Sequence, residues 1–286
     1  MVRVKDILDW VDVRAPLRFA ASWDRCGLQV GSPDADVERI LVALDPGSAT
    51  LEEARINRCQ CLVTHHPLIF RPLDALRSDK YPANLVIKAI LHGIHLIAAH
   101  TNLDAAREGT NDHMARLLGL EALVPLEADP AFLGDERYGG MGRIGLLPRA
   151  MTLQDFTGHC GKALQCEGAI RIVGDPQRLV HRVALCTGSG GSLVELVITS
   201  GVDVYVTGDV KYHEAQRAVE AGLAMVDVGH FASEKIVVDP VADYLRSCAR
   251  KAGEGIEVLT SRLERDPFRT GYNRGRQKEN EEVQIA

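Results

Sequence analysis

The sequence predicts an α/β protein built as two α/β domains, each a central mixed sheet flanked by helices. Three observations carry that prediction. Short apolar runs alternate with stretches of helical spacing along residues 39–99. A stretch holding Pro125, Pro130, Gly134, Gly139 and Gly140 then interrupts the pattern. A second alternation runs from Gly142 to Val228. Strand–helix–strand order with short links makes mostly parallel sheets covered by helices. The expected boundaries are 1–125 for the first domain, completed by 231–268, and 126–230 for the second, with a tail over 269–286.

The chain has 286 residues, of which 46% are hydrophobic and 25% charged. That suffices for one large or two modest cores. The net charge is −6, so nothing global attracts nucleic acid or an anionic membrane. Neither is an expected partner. No apolar run approaches the ~20 residues of a spanning helix. The first residues, MVRVKDILDWVD, read as an amphipathic helix and not as a leader peptide. Seven cysteines, with no C-x-x-C pair, argue against both a disulfide framework and a zinc ribbon. A soluble cytoplasmic protein is expected.

Residues 4–14 carry helical spacing through Val4, Ile7, Leu8 and Val11. The glycines of 23–31 suggest turns. Residues 39–44 make a strand ending at Asp45, and 48–58 a helix with Leu51, Ala54 and Ile56 inward. Residues 61–64 read as a buried strand that ends in His65-His66-Pro67. Pro67 lacks an N–H and biases His66 away from the α region, so the chain leaves the sheet there. A helix over 83–93 precedes a strand over 95–99 that ends at His100, and a helix through Met114 closes at Gly119. In the second domain, strands fall at 142–147, 169–173, 182–186, 202–207 and 224–228. Helices fall at 152–164, where Thr152 and Asp155 form a capping pair, at 193–200 and at 211–221. The turn 187–192 has the glycines to cradle a phosphate on backbone N–H groups. It matches neither G-x-G-x-x-G nor a P-loop, so a tight turn is preferred. A long helix follows His230, and 256–260 is the last strand. Beyond Phe268 the chain lacks the apolar content to order itself.

Three strand ends share one property, a metal-competent residue: His65-His66, His100 with Asp104, and His230 with Glu234. The C-terminal ends of strands are where open α/β sheets bind ligands. Neighbouring strand residues point to opposite faces, so adjacent histidines suit two nearby ions better than one. The i, i+4 spacing of the other two pairs puts both side chains on one helical face. Imidazole and carboxylate without thiolate suit Zn²⁺, Fe²⁺, Mn²⁺, Co²⁺ or Ni²⁺. Four nitrogens and two carboxylates exceed one tetrahedral ion. Two divalent ions ~3.5–4 Å apart, bridged by a carboxylate, can supply hydroxide near neutral pH, and Asp104 and Glu234 are the candidate bridges. Each pair alone reads equally as surface or hydrogen-bonded histidine; the recurrence favours metal.

Other residues rank lower. His213 could move a proton or support a ligand. Asp209 could support a ligand or only cap a turn, and for Asp45 the turn is preferred. Trp23 could stack on a planar ligand, though a core position is preferred. His92, His113, His159 and His181 read as surface or structural.

At these residues the chain resembles the NIF-three-like family of dinuclear-metal proteins, whose bacterial members are often labelled GTP cyclohydrolase I type 2 homologues. The matching stretches are Trp23-Asp24 with Gly27-Leu28 and Gly31, Thr64-His65-His66-Pro67, and His100 through Asp104 with Gly109 and Asn111-Asp112. Gly188 to Gly191, Thr207-Gly208-Asp209 with His213, Asp227 through His230 to Glu234, and Asp266-Pro267-Phe268 follow. The resemblance implies a metal site in the cleft between the domains. It implies His65, His66, Asp104, His230 and Glu234 as ligands, with His100 as a sixth. It also implies a self-associated ring, commonly a hexamer, and a short form without the inserted domain of some members. Two functions are then open: a metal-dependent hydrolase, GTP cyclohydrolase-like, acting on a purine nucleotide or related small molecule, or a non-enzymatic metal chaperone, insertion factor or oligomeric adaptor. No guanine-reading motif is present.

Overall fold

The structure, a computed structural model, describes residues 1–269 apart from Glu167, Ala169 and Glu254. The residues from 270 onward, expected to lack order, lie outside the described residues. In chain order the main elements are β1 (Val2–Arg3), α1 (Val4–Arg14), β2 (Gly27–Val30), β3 (Asp36–Val37), β4 (Arg39–Ala43), α2 (Ser48–Ile56), β5 (Cys61–Thr64), α3 (Ala83–Leu91), β6 (His95–Ala98), α4 (Thr101–Ala105) and α5 (Thr110–Leu117). There follow β7 (Glu121–Glu127), β8 (Met141–Thr152), α6 (Leu153–Leu164), β9 (Arg171–Val173), β10 (Leu179–Ser189), α7 (Val194–Thr199), β11 (Val204–Gly208), α8 (Tyr212–Glu220), β12 (Ala224–Asp227), α9 (His230–Lys235), α10 (Val238–Lys251) and β13 (Glu257–Thr260).

The first sheet has five strands in the order β13-β4-β5-β6-β2. Four run parallel, and β2 is antiparallel at the edge. Both faces are covered, which is why the central strands β4, β5 and β6 are mostly apolar. Ile40, Val42, Cys61, Val63 and Ile97 face α1 and α10 with Ile7, Val11, Ala242 and Leu245. Leu41, Ala43, Leu62 and Leu96 face α2 and α3 with Leu51, Ala54, Leu85 and Ala89. Ile56, expected inward, is exposed, because two residues past Ala54 the helix has turned to its opposite side.

The second sheet has six strands in the order β7-β8-β10-β11-β12-β9. β10, β11 and β12 are parallel, and the other three pair antiparallel. Val183, Leu185, Val204, Val206 and Val226 pack on Met114, Phe156 and Leu164 of α5 and α6. On the other face Ala184, Tyr205 and Met225 pack on Val194, Val197 and Ala218 of α7 and α8. The stretch 121–140, read as a linker, begins with β7. Its Pro125 sits on an edge strand, where a missing N–H costs no ladder bond. The 23–31 segment likewise contains a strand, β2, beside its turns. The helix expected after His230 is broken in two, α9 and α10.

Three parallel strands of each sheet end toward the same junction. The C-terminal segment fastens it. The buried Glu264 carboxylate accepts from the backbone N–H groups of Leu44 (2.8 Å) and Asp45 (2.7 Å) and pairs with Lys235 of α9. Glu53 of α2 accepts from Ser261 Oγ (2.6 Å) and the Arg262 N–H (2.8 Å). Removing one partner of such a buried network leaves the other donors stranded. Glu264→Ala should therefore destabilise the fold by about 3 kcal/mol, read as a fall in the urea midpoint; a change under ~0.5 kcal/mol, the range of an ordinary surface substitution, would refute the fastening role.

Candidate metal centre

The site is assembled from strand ends. His65 and His66 follow β5, with their backbone N–H groups bonded to Ala43 and Leu44 carbonyls (3.3 and 2.9 Å). His100 follows β6 and begins α4, which carries Asp104. Gly229, at φ +84°, turns the chain from β12 into α9, which carries His230 and Glu234. A positive φ is cheap only for glycine.

Each imidazole has its Nδ1 committed to an oxygen. The acceptors are the Ala99 carbonyl for His65 (2.9 Å), Asp45 for His66 (2.7 Å), Asp24 for His100 (2.9 Å) and Asp209 for His230 (2.8 Å). An oxygen with no proton to give requires Nδ1–H on each ring, so in the neutral form, the one that binds metal, Nε2 carries the lone pair. Those nitrogens converge. Nε2 of His66 and of His230 lie 3.2 Å apart, and each is 2.9 Å from Glu234 Oε2. His65 Nε2 is 3.6 Å from Glu234 Oε1 and 3.7 Å from Asp104 Oδ1.

Two groups have ligand atoms within 4.8 Å of one another: His65, His66 and His100, and His66, His230 and Glu234. His66 belongs to both, so the adjacent histidines are not simply one ligand for each group. Asp104 borders the first group. Among the described residues, the buried His65 Nε2 and Glu234 Oε2 have no hydrogen-bond partner. Buried orphan atoms of this kind are costly, and in their neutral form His66 and His230 would set two Nε2 lone pairs 3.2 Å apart. A cation satisfies both conditions, so the donor set fits a metal ion. Histidine ligands held through their other ring nitrogen are the usual arrangement in metal sites.

A buried bridge links the two sheets beside this cluster. Thr110 Oγ1 donates to Asp104 Oδ1, and Thr187 Oγ1, at the end of β10, donates to Thr110 Oγ1 (3.0 Å). Asn111 donates to the Asp104 carbonyl and accepts from the Thr187 N–H (both 3.0 Å). The glycine-rich turn serves the same end. Two of its N–H groups are spent within the protein, Gly188 on Ser233 Oγ and Gly190 on Thr207 Oγ1, which favours the structural turn. Gly188 stands at φ +67°, and a Cβ would meet Glu234 Oε1 at 2.1 Å. Only glycine lets that carboxylate reach the imidazoles.

Protonation follows from the geometry. Burial disfavours the charged imidazole, yet Asp45 and Glu234 raise His66 to about 10, and Glu234 and Asp209 raise His230 to about 9. Burial also opposes ionisation of Glu234, but the surrounding imidazoles hold it well below the usual carboxylate range. Burial leads in raising the Asp104 carboxyl. Burial pushes the Asp24 carboxyl upward, but hydrogen bonds from His100 and Thr101 outweigh it and leave the group well below its ordinary value.

Several residues fall differently from the sequence expectation. His213 is exposed with its ring against Tyr212, and it does not line the cleft at the cluster. Asp45 and Asp209, rated as turn residues or helpers, are the Nδ1 acceptors of two candidate ligands. Trp23, expected in the core, is 56% exposed. Asp24 and Gly188 had no functional reading from spacing, since they act on residues 76 and 46 positions away.

Fold and cluster define an α/β protein with a histidine–carboxylate site able to hold metal. The chain belongs to the Duf34/NIF3 (NGG1p interacting factor 3) family, whose model matches residues 2–267. It is 33% identical over 270 residues to the GTP cyclohydrolase 1 type 2 homolog of Streptomyces coelicolor, covering 94% of each chain. It is 30% identical over 268 residues to that of Clostridium acetobutylicum, covering 94% of this chain and 98% of the relative. The Bacillus cereus protein related to NIF3 superposes with a TM-score of 0.85 at 26% identity, over 94% of this chain and 99% of that one. Reduced HcgD from Methanocaldococcus jannaschii does so at 0.76 and 26%, over 92% and 98%. The alignment with the Mycobacterium leprae homolog, 28% identical, runs over 376 positions, more than the 286 residues here. That relative carries residues this chain lacks, as the short form implies.

Two measurements test this geometry. His66 and His230 sit above the ordinary 6.5, so the stability they give the metal-free protein is complete below pH 6.5 and lost as pH rises through about 9 and 10. In EDTA the melting temperature should fall across that window, and a His66→Gln, His230→Gln double variant should lose most of the fall; equal slopes would reject the shifts. Asp45→Ala and Asp209→Ala should each weaken metal binding by about 10–100-fold in competition with a chelating dye, and unchanged affinity would reject their orienting role.

Proposed function

We propose that this protein is a dinuclear metal-dependent hydrolase acting on a nucleotide-like small molecule. The convergence of the His65, His66 and His230 Nε2 atoms on the buried carboxylates of Asp104 and Glu234, with His100 grouped beside them, is the observation that carries the reading. Four imidazoles and two carboxylates are more than one ion needs. His65 and His100 with Asp104 would hold one ion and His230 with Glu234 the other, and His66, with one Nε2 lone pair, would serve one of the two. The chemistry such a pair would supply, when bound, is activation of water near neutral pH and neutralisation of developing negative charge. The chain's own residues do the rest. Asp24, Asp45, Asp209 and the Ala99 carbonyl keep the four rings turned inward and in one tautomer. The Gly188 turn seats Glu234.

A cleft of about 1530 Å³ opens onto His66 and His230, with Asp45, Asp209, Arg171 and Arg262 among its walls. It is larger than the roughly 300–1,000 Å³ of an ordinary small-molecule pocket, and its apolar walls carry a few charged groups, so it has room for a nucleotide-sized ligand. The name shared by the relatives, GTP cyclohydrolase 1 type 2 homolog, points to hydrolytic attack on a purine nucleotide.

The test is elemental analysis with a turnover panel of nucleotides and phosphoesters, using Zn²⁺-, Mn²⁺- and Fe²⁺-loaded protein. We expect two metals per chain and activity that Glu234→Ala abolishes while the variant still folds. Fewer than one metal per chain after loading would sink the site, and activity surviving in Glu234→Ala would belong to a contaminant. Tight metal binding and ready exchange with no turnover would instead favour a metal carrier.

A further inference from the structure

We propose that Trp23 and Phe70 form a stacking subsite for a planar heteroaromatic ring on the His100 side of the candidate metal centre. The inference rests on the reading above and adds the chemical class of the ligand. Trp23 is 56% exposed and Phe70 45%, although both gain by leaving water. The two rings meet edge to face, centroids 5.9 Å apart at 67°. Each also stands nearly perpendicular to the His100 ring, at 6.3 Å and 75° for Trp23 and 6.4 Å and 78° for Phe70. The three rings form a corner, with a metal-competent imidazole at its base.

The corner is rigidly mounted. Trp23 directly precedes Asp24, which is buried and accepts from His100 Nδ1, the Thr101 N–H and hydroxyl, and the Arg25 N–H. The carboxylate that orients the His100 ring is thus one residue from the indole. Phe70 follows Ile69, whose N–H donates to Gln29 Oε1 (2.7 Å) in β2, the strand paired with β6. All three rings are therefore tied to one edge of the first sheet, and no loop has to close to assemble them. Edge contacts leave ring faces open to a stacking partner, while rigid mounting keeps the ordering cost of binding low. A ring laid on the indole has an edge toward His100, whose ligand atom lies close to those of His65 and His66. Stacking of this kind accepts any planar π-face and reads little of the ring's identity. That agrees with a chain that carries no base-reading motif.

The test uses the full chain loaded with Mn²⁺ and titrated calorimetrically with GMP and with ribose 5-phosphate, which share sugar and phosphate and differ by the base. GMP should bind at least about tenfold tighter. Trp23→Ala should erase that margin, Phe70→Ala should narrow it, and Trp23→Phe should keep most of it. Metal content, measured on each variant, should stay at the wild-type level. Equal wild-type affinity for the two probes, no GMP binding, or unchanged GMP affinity in Trp23→Ala would overturn the proposal. A change of oligomeric mass in Trp23→Ala with GMP affinity intact would also overturn it, marking the pair as a contact between copies. The same titrations in EDTA should preserve the Trp23-dependent margin, so a chain that takes up no metal would fail the hydrolase reading alone. Trp23-dependent GMP binding without turnover would keep the subsite and remove that reading.

Discussion

Four imidazole rings at the junction of the two sheets each give Nδ1 to an oxygen, and the remaining chemistry depends on that commitment. Were the rings free to rotate, either nitrogen could face the centre and no donor set would be defined. Three of the four acceptors are carboxylates at or near strand ends, and the fourth is a backbone carbonyl. The acceptors make the ligand nitrogens more basic as well as fixing their direction.

That arrangement requires two sheets to end at one place to within a hydrogen-bond length. β4, β5 and β6 deliver Asp45, His65-His66 and His100. β10, β11 and β12 deliver Gly188, Asp209 and His230. Two features hold the halves in register. One is the threonine–asparagine bridge from Asp104 to Thr187. The other is the Glu264 carboxylate, which spans the end of β4 and Lys235 of α9. Both are buried, so breaking either strands polar groups away from water.

Much of this was legible in the residues. The apolar runs of β4, β5 and β6 stand between amphipathic helices and declare a parallel sheet. The metal-competent residues stand at three strand ends. What escaped is what depends on contacts distant in sequence. β2 is short and flanked by glycines, so it resembles a turn until β6 pairs with it. β7 contains Pro125, which local rules place outside a central strand and which an edge tolerates. Asp24 reaches His100 only through the tertiary fold. Gly188 is defined by the carboxylate it makes room for, and nothing around it in the chain announces Glu234. Burial is the default for an indole, and the exposure of Trp23 departs from it because of where the fold places the residue, which its neighbours in the chain do not reveal.

The last strand has a consequence for synthesis. β13 pairs with β4 through Glu257 opposite Arg39 and Thr260 opposite Val42, across the whole second sheet. On a ribosome, the free edge of β4 stays unpaired until almost the entire chain has emerged, while β7 through β12 already have their partners. An unpaired, largely apolar strand edge is a template for association with other chains. The nascent protein is therefore most vulnerable late in translation, and a truncation that spares every candidate ligand but removes 257–260 would leave that edge open for good.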